Sequence, residues 1–166
     1  MRECGIRLPE HTFYVDNIFV YVPMASVQTI QYLDIDLYHY FIGREDQSVN
    51  EKVMMGRMEQ QLRITRVMID SVNIPSYTMN ENLQAYLVKY LAMMMCICSI
   101  FLRMKGDAAS DAERKAIWKY LLIRNRKLYA LVRRELVCIG VNLPGKPGRA
   151  IGIAGYRVAQ KIFKFN

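Results

Sequence analysis

The apolar positions of this chain change period near residue 48. Upstream, residues 29–33 (TIQYL) alternate polar and apolar. Residues 37–42 (LYHYFI) are aromatic and aliphatic. Both predict short strands, joined by an acidic corner at Asp34 and Asp36. Residues 16–27 (DNIFVYVPMASV) are ambiguous by propensity. Their β-branched and aromatic run favours a strand, while Pro23 is tolerated in the first turn of a helix. A helix from about Asp16 is the preferred reading.

Downstream the apolar residues recur at helical spacing. Val49, Val53, Leu62 and Ile69 predict a helix over 49–72, and residues 73–76 (NIPS) break it. A second helix is expected to 105, apolar almost all round in its later half, as befits the centre of a bundle. After Gly106, a third helix to 135 carries a stripe that includes Ile117, Trp118, Leu121, Leu128 and Val132. A Pro/Gly-rich linker over 143–148 precedes a last short helix over 149–165. Capping boxes mark three starts: Ser48 with Glu51, Thr78 with Glu81, and Ser110 with Glu113. The pattern predicts a mainly α chain, with a short β-containing segment over 1–47 and a four-helix region over 48–166.

Composition narrows this picture. Hydrophobic residues make up 52% of the chain, which argues against disorder. The longest apolar run, 90–102, falls short of the about 18–20 residues a membrane span needs, so a buried core helix is expected. The net charge of +8 is compatible with nucleic acid, an anionic membrane surface or phosphorylated ligands. Nucleic acid is not expected, because the basic residues are scattered and no binding motif accompanies them. The last helix alternates Arg149, Arg157, Lys161 and Lys164 with apolar residues. It reads either as an ordinary packed terminal helix or as a peripheral anchor on an anionic bilayer. No signal peptide is read at Met1, and Cys4, Cys96, Cys98 and Cys138 read as free thiols of a reducing compartment. The expected location is cytoplasmic, with the tail helix available to a membrane.

Few residues offer chemistry. There is no G-x-S-x-G, no H-E-x-x-H and no Gly-rich phosphate loop, so a self-contained hydrolase, metalloprotease or nucleotide triphosphatase is not expected. His11 and His39 have no metal-ligand spacing, and Asp34 and Asp36 match D-x-D but read as a solvated corner. Asp16 reads either as a helix cap or as a general base kept ionised at a helix start. The loop GREDQS offers Arg44 beside a helix N-terminus, which suits phosphate oxygens; a solvated loop with a cap is the alternative.

Residues 8–52 carry a resemblance. LPEHTFYVDNIFVY followed by YLDIDLYHYFIGREDQSVNEK resembles the C-terminal part of the catalytic domain of bacterial family 2 glycosyltransferases. There an acidic motif opens a helix, a strand pair of the form Y-x-D-x-x-L-Y-x-Y follows, and an Arg-to-Ser loop closes the segment. Val15 stands where that family usually has Glu. The resemblance implies that residues 1–47 are a remnant of a GT-A α/β domain and that 48–166 are a helical C-terminal extension. It implies Asp16 as the catalytic base of an inverting transfer from a nucleotide-sugar to a saccharide or lipid-linked acceptor. Arg44, Gln47 and Ser48 would bind substrate. It places the metal motif, with Mg²⁺ or Mn²⁺, and the nucleotide pocket in an N-terminal half, so no cofactor is expected in this chain and the isolated chain is expected to be inactive. The competing expectation is a non-catalytic helical interaction module, acting at a membrane or with a protein partner.

Overall fold

A computed structural model of the chain describes residues 4–39, 41, 50–76 and 78–163. Among the described residues there are eight helices: α1 (Val15–Met24), α2 (Glu51–Gly56), α3 (Met58–Ser71), α4 (Glu81–Lys105), α5 (Ala108–Arg124), α6 (Arg126–Arg134), α7 (Leu136–Val141) and α8 (Gly145–Phe163). The chain is mainly α, as its periodicity predicts.

The core is built on α4. Leu87, Leu91, Met95, Cys98 and Leu102 recur every three or four residues and are all fully or almost fully buried. Around them pack Leu62 and Met68 of α3, Ile117 and Leu121 of α5, and Leu128 and Val132 of α6. Ile18 and Tyr21 of α1 join the same core. By length and composition α4 could cross a membrane, yet 61% of its most apolar window is buried inside the protein. Its apolar character is thus used chiefly for packing.

Polar links fix how these helices meet. Trp118 Nε1 donates to Ser99 Oγ (2.9 Å), which donates to the Met95 carbonyl (2.7 Å). This pins α5 to α4 with its buried polar atoms paired, as burial demands. Nearer the surface, Asp70 of α3 accepts from Tyr120 Oη (2.6 Å) and Arg124 Nε (2.7 Å) of α5.

Helix starts differ from the predicted capping boxes. Asn80, not Thr78, caps α4, accepting from the Asn82 N–H at 2.9 Å. Asp107, not Ser110, caps α5, accepting from the Ser110 N–H at 2.8 Å and the Ser110 hydroxyl at 2.9 Å. Those bonds hold the Asp107 carboxyl below its usual range. Asn and Asp are at least as good N-caps as Ser and Thr, so the nearer carboxylate or amide takes the position. Asn50 caps α2, accepting from the Lys52 N–H at 3.0 Å, while Ser48 lies outside the described residues.

The long helices expected over 49–72 and 110–135 are each divided. Arg57 separates α2 from α3. Asn125 ends α5 and caps α6 through the Leu128 N–H (2.9 Å), and its Nδ2 also donates to the Ile74 carbonyl (2.6 Å). A side chain able to bond main chain on both sides competes with the helix it interrupts. The expected linker over 143–148 is shorter, because α8 already begins at Gly145.

No strand occurs among the described residues. Residues 27–39 and 41, which include most of both predicted strands, carry no regular structure. Their apolar side chains lie in solvent, with Ile30 75% and Leu37 82% exposed. A strand satisfies its main chain only by pairing with a neighbour, and these residues have no sheet to join.

Candidate functional site

Asp16 lies in the first turn of α1, exposed to solvent. The N-cap is Tyr14, held in the left-handed region (φ 68°), and it makes no side-chain capping bond. Asp16 is therefore not the cap. Its carboxylate stands where the positive end of the helix dipole favours negative charge.

The chain leading into α1 is strapped to α3. The Phe13 N–H donates to Gln60 Oε1 (2.7 Å), the Arg57 guanidinium stacks 3.4 Å above the Phe13 ring, and Arg63 Nη1 donates to Thr12 Oγ1 (3.3 Å). A planar cation over an aromatic face is attractive and orients both groups. Burial pushes the Tyr14 phenol up, and Arg57 partly offsets this.

Beside Asp16, α4 presents an aromatic ladder. Tyr90 Oη donates to Asn17 Oδ1 (3.0 Å), and Asn17 Nδ2 donates to the Tyr14 carbonyl (3.1 Å). The Tyr90 ring lies 5.7 Å from that of Tyr21 and 6.0 Å from that of Tyr86. The Tyr90 phenol is raised by burial, then by Tyr86 and Asp16, which places the carboxylate within electrostatic reach of the ladder. Tyr86 is 43% exposed. An ionised carboxylate beside a partly open aromatic face can accept a proton from a hydroxyl and stack an apolar sugar face. The sequence reading missed this wall. Its signal was the i, i+4 spacing of Tyr86 and Tyr90, which puts both rings on one helix face.

Arg44, Gln47 and Ser48 lie outside the described residues. Three residues after Ser48, Glu51 at the start of α2 takes Arg157 of α8 through both oxygens (2.6 and 3.0 Å) and Tyr156 Oη at 3.3 Å. Burial and then Glu51 push the Tyr156 phenol up to about 12.

Asp34 and Asp36 are exposed, and Asp34 accepts from Tyr32 Oη at 3.3 Å. His11 and His39 are also exposed. Among the described residues, no three His, Cys, Asp or Glu side chains come close enough together to hold a metal ion.

The outer face of α1 is open as well. Phe19, Val20, Pro23 and Met24 line an apolar groove of about 390 Å³ with Cys4. No family model, curated protein or solved structure matches the chain.

Proposed function

We propose that these residues form the acceptor-side wall and helical extension of a family 2 glycosyltransferase. In this reading a nucleotide-binding α/β half supplies the donor pocket and the divalent metal. Asp16 takes the proton from the acceptor hydroxyl as that oxygen attacks the sugar's anomeric carbon, and the configuration inverts. Arg44, Gln47 and Ser48 bind substrate on the adjacent loop.

The observation that carries the reading is the state of residues 27–39 and 41. The sequence there has the alternation and aromatic content of a strand pair, yet Ile30, Leu33, Ile35, Leu37 and Phe41 are exposed. That is the condition of edge strands whose sheet is contributed from elsewhere. The open groove on α1 and the exposed Asp16 lie on the same segment of chain. The tie between Glu51 and α8 gives the helical extension a task in this reading, since it anchors the start of α2 three residues after Ser48.

The test uses a polypeptide that carries these residues behind a nucleotide-binding half. Asp16→Asn is expected to lower kcat by about a thousandfold, with melting temperature unchanged, because a positioned general base contributes about 10²–10⁴. Near-normal transfer by that variant sinks the assignment. By itself, the 166-residue chain is expected to give no saturable heat with nucleotide-sugar and Mn²⁺.

A second reading has one observation in its favour. Ile151, Val158 and Ile162 are exposed along one face of α8, spaced as a stripe. A non-catalytic module resting on an anionic bilayer would use that face. Co-sedimentation with anionic vesicles, lost when the chain is cut after Pro144, would favour it; equal binding by the cut chain would exclude it.

A further inference from the structure

A cavity of about 750 Å³ opens where the C-terminal end of α4 meets the N-terminal ends of α5 and α8. Its wall holds five cationic side chains, Arg103, Arg114, Lys115, Lys146 and Arg149, against two carboxylates, Asp107 and Asp111. Both carboxylates are already engaged. Asp107 caps α5, while Asp111 takes Arg114 (3.0 Å) and Lys115 (2.7 Å). Among the described residues Arg103, Lys146 and Arg149 make no ion pair, and the carboxylate within electrostatic reach of Arg103 is Asp111, already shared by Arg114 and Lys115.

Arg103 is the unusual member. It is only 7% exposed. Its Nη2 donates to the Leu143 carbonyl (2.6 Å), but its Nη1 is buried with no hydrogen-bond partner. An unsatisfied buried donor on a cation is costly, and proteins rarely keep one without a use. Burial together with nearby Arg114 and Arg149 pushes the Arg103 guanidinium down, so the cations are close enough to repel.

The main chain adds donors. The first helical bond of α8 runs from the Gly148 N–H to the Pro144 carbonyl, and Pro147 has no N–H. The Gly145 and Lys146 N–H groups are left at the positive end of a 19-residue helix. The backbone also makes room. Gly106 sits at φ +77°, and a Cβ there would overlap the Arg149 guanidinium, so the missing side chain lets Arg149 close over the end of α4.

We propose that this cavity binds a phosphoryl anion, held by Arg103, Lys146 and Arg149 and by the N–H groups that open α8. Guanidinium groups and helix N-termini both match phosphoryl oxygens in charge and geometry. A multiply charged anion would satisfy the orphaned Nη1 and relieve the repulsion between Arg103 and Arg149. The anion is either free or the headgroup of a phospholipid. The site is independent of the glycosyl-transfer reading, since it shares no residue with Asp16 or the loop after Arg44.

The experiment is calorimetric titration of the full chain with inorganic pyrophosphate in low salt at pH 7. One anion per chain is expected. The double variant Lys146→Gln, Arg149→Gln leaves the buried Arg103 in place and is expected to bind about tenfold more weakly or worse, having lost two charge-assisted donors. Arg126→Gln, Lys127→Gln removes the same charge from an exposed part of α6 and should change affinity by less than about twofold. Absence of saturable heat from the native chain overturns the proposal. So does equal weakening in both double variants, which would leave only net charge, or unchanged binding in the first. A parallel arm uses vesicles containing phosphatidic acid. Binding to both vesicles and pyrophosphate, each lost with Lys146 and Arg149, identifies an accessible headgroup site, and binding to pyrophosphate alone identifies a free anion. Vesicle binding without pyrophosphate binding overturns the site.

Discussion

Helix α4 and residues 27–39 are both rich in Leu, Ile and Tyr, and they meet opposite fates. In α4 the apolar side chains are the centre of the core; in 27–39 Ile30, Leu33, Ile35 and Leu37 lie in solvent. The difference is in the main chain. A helix satisfies its own N–H and C=O groups and needs neighbours only for its side chains. A strand needs a neighbour for both. The same hydrophobicity is therefore packed in a helix in one place and left in solvent without regular structure in the other.

The sharpest way to break this contrast is to remove one leucine from each region. Leu91→Ala should lower unfolding free energy by about 2–5 kcal/mol, because Leu91 is fully buried and the cavity would be only partly refilled. Leu37→Ala should stay within about 0.5 kcal/mol, as expected of an exposed site. Urea denaturation measures both. A large loss from Leu37→Ala would mean that the segment packs in solution, and the contrast would collapse.

The sequence was legible where structure is local. The apolar period located the helical body and singled out α4 as its centre. Gly106, at positive φ, ends α4 where a break was expected. Cap identity was not legible to the residue, because Asn80 stands two positions after Thr78 and Asp107 three before Ser110, and each rival is an equally plausible cap. The single helix expected to 135 failed for a tertiary reason. Asn125 is held by the Ile74 carbonyl, 51 residues away, which no local pattern announces. The two predicted strands rested on propensity alone, and no strand occurs among the described residues, since pairing is not written in the segment itself. Asp16 was expected at a helix start, and it lies in the first turn of α1. Tyr90 was not legible, because its bond to Asn17 joins residues 73 apart.

A second test probes the dryness of the core. Burial pushes the thiols of Cys96 up to about 11 and of Cys98 and Cys138 up to about 12. Below about pH 9 the thiols are protonated in both folded and unfolded chains, and this contribution to stability is complete. As pH rises further, the unfolded chain releases protons that the folded chain retains, so stability falls progressively towards pH 12. Denaturation midpoints taken at pH 8 and pH 10 should show the decline. In the same way, these three thiols should resist a disulfide reagent at pH 8 until denaturant is added. Rapid labelling of Cys98 in the native chain would show a core far wetter than its packing implies.

The smallest effect lies at the seam between the two regions. Glu51 opens α2, the first described helix after the uncovered segment, and it is gripped by Arg157 and Tyr156 from the helical body. The pair is partly open to water, with the side chains of Arg157 and Glu51 47% and 23% exposed. Its bidentate geometry favours it, yet solvent screening limits its worth, so Glu51→Gln should cost only about 0.3–1 kcal/mol. The difference should shrink in high salt, where exposed charges are screened. Tyr156 gives an independent reading. Burial is the larger cause of its raised ionisation, so absorbance titration of Glu51→Gln should find the phenol lower than about 12 but still above its ordinary value. A phenol that returns fully to its ordinary value would mean that α8 has come away from α2. The tie would then be holding the helices together rather than trimming their alignment, and the start of α2 would owe its position to one ion pair.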